Sequence, residues 1–196
     1  MNTKEFKGKI NTVLGPIPPK NLGATLTHEH LLSSLDCYFQ IPEESSQRQL
    51  SSQKLSFSNI GKLPGKWLNH PESMNLPDIS MVIEEVMDWK LEGGGAVVDA
   101  TSIGIGRDPS GLAKIARATG LNIIMGCGYY LPSSYSANMD FVTQKDIENE
   151  IVNDLISGVG DTGIKSGIIG EIGCEFPLTK NIKKILSAAV EAQNTT

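Results

Sequence analysis

Four times along this chain a short apolar run gives way to an amphipathic segment with helical spacing, and that alternation restricts the fold more than any other feature. The apolar runs are 24–30, 96–101, 122–130 and 167–173, and the helical segments are 77–91, 108–119, 143–157 and 181–192. In the first helical segment Ile79, Val82, Ile83, Val86 and Trp89 fall on one face. Asp108 is placed to cap the second, with Pro109 at its first position and Gly120 as its stop. Thr143 and Asp146 have the spacing of a capping box at the start of the third. Strands separated by helices of this length build parallel βαβ units. Four such units make either an open sheet or half of a closed (β/α)8 barrel. A complete barrel needs about 250 residues, so 196 residues are expected to carry half of one, as a single α/β domain.

Two stretches stand outside the alternation. Residues 9–14 are a short apolar stretch closed by Gly15-Pro16, and a turn follows through Pro18, Pro19 and Gly23. Residues 40–75 are rich in Ser, Gln, Asn, Pro and Lys, and are expected to form a polar insertion loop with one helical turn near 60–67.

The bulk numbers exclude several classes. Net charge is −5 and no long basic run occurs, so no nucleic-acid partner is expected. No run of 18 apolar residues exists, so no membrane span is expected. The first nine residues are polar, with no apolar core of a signal peptide, and the expected location is cytoplasmic. Cys37, Cys127 and Cys174 are odd in number and far apart, so they are read as reduced thiols, Cys127 as a small buried strand residue. A possible homodimer follows from the half-barrel reading, because the first and fourth strands would leave exposed edges.

The sharpest chemical signal is His28-Glu29-His30 on the first strand. Strand side chains alternate, so the two imidazoles share a face about 6.5 to 7 Å apart along the strand, and each can give one nitrogen to a divalent ion. Glu29 points the other way. The bland alternative is two strand-end histidines bonded to backbone or water. The second signal is Glu171 in Gly170-Glu171-Ile172-Gly173, near the end of an otherwise apolar strand. A carboxylate there is costly to bury unless it is paired or binds a metal. Beside two histidines it suits a zinc- or manganese-like ion; the alternative is an ion pair with Lys165, Lys180 or another cation. Asp99 ends the second strand, and an Asp99–Arg107 ion pair is expected to fix the loop, with Thr101 or Arg107 otherwise shaping the pocket. Of Tyr129 and Tyr130, which end the third strand, one is expected to line a substrate site and the other to be core. His70 lies in the insertion and is read as a solvated loop histidine. Gly104-Ile105-Gly106 does not continue into a dinucleotide fingerprint, and no phosphate-binding loop or nucleophile motif stands out.

Together these pieces resemble the phosphotriesterase family of the amidohydrolase superfamily. Thr27-His28-Glu29-His30 is similar to its first-strand metal motif. Asp99-Ala100-Thr101 with Gly104 and Arg107-Asp108 is similar to its second strand and loop, and 163–173 to its fourth strand. The resemblance runs from about Lys9 to Gln193. It implies a (β/α)8 barrel holding two divalent cations, zinc foremost, with His28 and His30 on the more buried ion and Glu171 bridging both. It implies metal-assisted hydrolysis of a small molecule, an N-acetylated taurine or similar N-acyl amino compound, with lactones or phosphotriesters as the rival substrates. Tyr130 is the residue assigned to substrate binding. No proton-transferring catalytic residue is assigned, because the family's further ligands and its proton-shuttling aspartate belong to later strands. A chain with half of the six ligands is expected to be inactive alone, and a non-catalytic fragment or binding module is the rival from another class.

Overall fold

A computed structural model describes residues 7–62, 70–76 and 78–196. The chain opens with an antiparallel hairpin, β1 (Ile10–Thr12) and β2 (Gly15–Ile17). Strand β3 (Ala24–Glu29) follows, and β4 (Ser33–Ser34) begins the insertion. Inside the insertion lie a helix, α1 (Ser45–Ser51), and a 3-10 turn at Ile60–Lys62. Strand β5 (Asn75–Leu76) pairs antiparallel with β4 and closes the excursion at its base. The helical turn expected near 60–67 is thus present at its start, and 63–69 lie outside the described residues. A polar stretch with few periodic apolar positions gave no sign of α1, which buries only Leu50. His70 is not solvated: it is 1% exposed, with Nε2 against the carbonyl of Gln53 and Nδ1 accepting from the Glu72 amide.

The rest alternates as the sequence requires: α2 (Ile79–Leu91), β6 (Gly94–Asp99), α3 (Pro109–Thr119), β7 (Asn122–Cys127), α4 (Gln144–Ile156), β8 (Ile168–Ile169) and α5 (Lys180–Thr195). Four strands pair in sequential order β3-β6-β7-β8, all parallel, as a curled sheet that makes half a barrel. Side chains at the helix starts satisfy orphan backbone donors. Asp78 accepts from Ser80 and Met81, Asp108 from Gly111, and Thr179 from Ile182; Thr143 and Asp146 form the reciprocal capping box.

Two apolar layers hold the helices on the sheet. Val97, Ile123 and Met125 pack with Leu112, Ile115 and Ala116 of α3 and with Ile79, Val82, Ile83, Val86 and Trp89 of α2. Cys127 and Ile169 pack with Ile147 and Ile151 of α4 and Ile185 and Ala188 of α5. The intervening strand residues, Val98, Ile124 and Ile168, line a cavity of about 680 Å³ with Ile10, Asn11 and Leu155. The hairpin is tied under the sheet through Val13, whose amide donates to the Ile123 carbonyl.

Two expected strands end early. The run 122–130 is ladder only to Cys127, and 167–173 only over Ile168–Ile169. At Gly170, with φ +131°, the chain leaves extended geometry that an L side chain could follow. The Gly170–Glu171 peptide is cis.

Candidate metal centre

Strand β3 reaches the mouth of the half-barrel with one residue more than its neighbour. Leu26 pairs with Val97 and Glu29 with Asp99, so three steps on β3 match two on β6. This decides where the histidines go. Leu26 packs into the helix-facing layer, and strict alternation from it would carry His28 to the same side. The bulge resets the alternation. His28 and His30 instead face Glu171, which arrives from the far side of the sheet. The next two residues, Leu31 and Leu32, return to the core at 7% and 4% exposure and anchor the strand end.

Glu171 comes across β7 because its backbone is held by β6. After Gly170 donates to the Cys127 carbonyl, the Glu171 amide donates to the Ala100 carbonyl at 3.2 Å. Ala100 in turn donates to the Glu29 carbonyl at 2.8 Å. Ala100, the residue just past the end of β6, therefore connects the backbone beside the two histidines to the backbone of the carboxylate.

The carboxylate spans the two imidazoles. Glu171 Oε2 lies 3.1 Å from His28 Nε2, and Oε1 lies 3.4 Å from His30 Nε2. The rings stand edge to face with centroids 5.5 Å apart. One ligand atom from each residue falls within 4.8 Å of the others. Two donors on one tetrahedral zinc, each about 2.0 to 2.1 Å from it, are about 3.3 Å apart, so the observed spacings fit neighbouring ligands of one ion. Two nitrogens and a hard carboxylate are also a donor set that zinc or manganese accepts. Without an ion, the same spacings suit hydrogen bonds from the imidazoles to the carboxylate.

Asp99 does not pair with Arg107. Its two oxygens are taken by backbone amides, Leu31 at 2.7 Å and Thr101 at 3.1 Å. Burial pushes its carboxyl up, and the hydrogen bonds from Leu31 and Thr101 pull it back. Arg107 runs the other way, into the helix layer, where it meets Asp154 of α4 at 2.7 Å. Sequence proximity suggested a partner eight residues away; the βα crossover brought one from 47 residues away. Thr101 is buried and lies 3.0 Å from His30 Nδ1.

Tyr129 is core, 6% exposed, with its hydroxyl donating to Glu150. Tyr130 is half-buried and stacks edge to face on Tyr38, centroids 6.4 Å apart. Burial raises the Tyr130 phenol, and the Glu171 charge raises it further, as expected of a phenol beside the carboxylate. Tyr38 enters from the start of the insertion, and nothing in its local sequence marks it as a mouth residue. Cys127 is buried, and burial pushes its thiol up to about 12, which suits a packing residue and not a nucleophile.

The phosphotriesterase family model matches residues 8–196. The chain belongs to the phosphotriesterase family. Among proteins similar to this family member, the N-acetyltaurine hydrolase of Xenopus tropicalis is 41% identical over 190 residues, covering 96% of this chain and 54% of that protein. The N-acetyltaurine hydrolase of Homo sapiens is 37% identical over 189 residues, with the same coverage. The chain thus spans about half the length of the curated relatives it matches. A resiniferatoxin-binding protein from Rhodobacter sphaeroides superposes with a TM-score of 0.91 at 37% identity, over 97% of this chain and 53% of that one. The organophosphorus hydrolase from Deinococcus radiodurans superposes with a TM-score of 0.72 at 23% identity, over 96% and 51%. At that identity the likeness speaks for the barrel fold.

Proposed function

We propose that this family member contributes the metal-holding half of a hydrolase barrel that cleaves N-acyl amino compounds, with N-acetyltaurine as the first candidate. The observation that carries the reading is the meeting of His28, His30 and Glu171 within 4.8 Å of one another, from the two edges of the sheet. His28 and His30 supply neutral nitrogen ligands, and Glu171 supplies the carboxylate that neutralises part of the ion's charge. A divalent ion there, zinc foremost, supplies Lewis acidity toward a scissile carbonyl. Two ions per complete barrel, with Glu171 shared, is the count that the family resemblance implies. Tyr130, which follows β7 at the same end of the sheet and meets Tyr38 edge to face, is the proposed substrate contact. The names of the curated relatives favour an amide over a lactone or phosphotriester, since the neighbours named for lactone or organophosphate chemistry are far less similar. The location proposed is the cytoplasm; no helix among the described residues is long and apolar enough to cross a membrane.

A second reading, a binding module without turnover, is favoured by the resiniferatoxin-binding name of the neighbour with a TM-score of 0.91.

The test has two parts. Zinc titration of the chain against a chelator is expected to show one tight site, lost in His28→Ala and in Glu171→Ala. The same substitutions in a barrel of the relatives' full length are expected to abolish metal-dependent cleavage of N-acetyltaurine, whereas the 196-residue chain alone is expected to turn over none. Equal zinc binding by wild type and His28→Ala would remove the metal centre. Binding of substrate without cleavage by the full-length, zinc-loaded protein would favour the second reading.

A further inference from the structure

We infer that Thr101 and Asp99 are positioning residues that fix the His30 ring with its Nδ1 turned into the protein and its Nε2 turned to the mouth. The inference rests on the metal-centre reading for its purpose, but its geometry stands by itself. Two amides donate to the Asp99 carboxyl, Leu31 at 2.7 Å and Thr101 at 3.1 Å. They fix the backbone next to His30 and at Thr101 itself, and so the place of the Thr101 hydroxyl oxygen. That oxygen lies 3.0 Å from His30 Nδ1. With an ion on Nε2, which faces Glu171 at 3.4 Å, the hydrogen of a neutral His30 would lie on Nδ1 and the Thr101 oxygen would accept it.

Burial makes this order durable. Asp99 is 0% and Thr101 1% exposed, so water has no access to replace either partner. The two histidines are not equivalent in this respect. The His28 side chain is 56% exposed and the His30 side chain 33%, and the Thr101 contact is made to His30. The residue between the two positioning side chains, Ala100, makes the backbone bonds to Glu29 and Glu171. The tripeptide Asp99-Ala100-Thr101 thus holds the histidine strand through the Leu31–Asp99 and His30–Thr101 contacts and one main-chain bond to Glu29, and holds Glu171 through another. Partners behind a ligating histidine set its tautomer and ring orientation, and their loss typically costs 10- to 100-fold in metal affinity.

The experiment uses the 196-residue chain labelled with 15N at histidine, as wild type, Thr101→Val and Thr101→Ser. Imidazole 15N–1H spectra are recorded without metal and with zinc, and zinc affinity is measured by chelator competition. With zinc, the expected result is a protonated His30 Nδ1 in wild type and Thr101→Ser. Thr101→Val is expected to shift the His30 signals, leave those of His28 in place, and bind zinc roughly 10- to 100-fold more weakly. An unprotonated Nδ1 on His30 in the zinc-loaded wild type overturns the inference even if the valine variant fails to fold. So does a folded Thr101→Val with unchanged His30 signals. If wild type takes up no zinc but Thr101→Val shifts the His30 signals alone, the metal centre falls and the positioning contact stands.

Discussion

Replacing Arg107 by Ala strands a carboxylate. Arg107 and Asp154 are 7% and 5% exposed, and the guanidinium also reaches the Gly126 carbonyl. Breaking a buried pair from one side leaves an uncompensated charge, at a cost of about 3–5 kcal/mol. The loss should depend on pH. Burial raises the Asp154 carboxyl and Arg107 lowers it. Without Arg107 the folded-state value rises further above the unfolded one, about 4. A carboxyl raised on folding holds its proton more tightly folded than unfolded, so its contribution is best below the unfolded value and worsens as pH rises through the folded one. Urea unfolding of Arg107→Ala is therefore expected to show a smaller deficit near pH 4 than at pH 7. A deficit independent of pH would mean that Asp154 finds another cation. The error of pairing Arg107 with Asp99 belongs to this scale too: Asp99 ends β6 and Arg107 lies in the loop that follows, but a carboxylate already filled by backbone donors has no need of a cation.

At the scale of elements, the approach of β7 to β8 places the carboxylate. Gly126 sits where a Cβ would come 2.1 Å from the Gly170 carbonyl oxygen and 3.3 Å from that of Asp99. Gly126→Ala must push away the peptide that leads into Glu171. Overpacking of this kind costs about 1–3 kcal/mol, and the displaced carboxylate should lose its reach to both imidazoles. The expected outcome is a lowered urea midpoint together with weakened zinc binding in one variant. Wild-type zinc affinity in Gly126→Ala would show that β8 adjusts without moving Glu171. Such features are hard to read from a string of residues. The run Gly167 to Gly173 has the composition of a strand, and it is ladder for only two residues before bending.

For the whole molecule, the consequence of a half-barrel is an open side. Among the described residues, β3 and β8 each have a single strand partner in the sheet, and Val98, Ile124 and Ile168 face a cavity instead of a packed layer. Unpaired edges and an uncovered apolar face favour self-association. Sedimentation of the chain at rising concentration is expected to show dimers or larger species. A monomer that persists at high concentration would indicate that the hairpin β1–β2 covers the inner face well enough by itself.

The sequence by itself determined the parallel order of the sheet, the helices that cover it and the residue types of the candidate site. Those depend on local physics: the period of apolar residues, caps such as Asp108 and Thr143, and the chemistry of His-x-His beside a strand-end carboxylate. Tertiary structure alone decided which way those residues face. The extra residue in β3 turns His28 and His30 to the mouth, the Ala100 carbonyl draws Glu171 across β7, and Thr101 reaches His30 from 71 positions away. Arg107 found Asp154, and the insertion delivered Tyr38 to Tyr130, for the same reason. Each of these contacts joins segments far apart in the chain, and their energies depend on register and burial that no local pattern encodes.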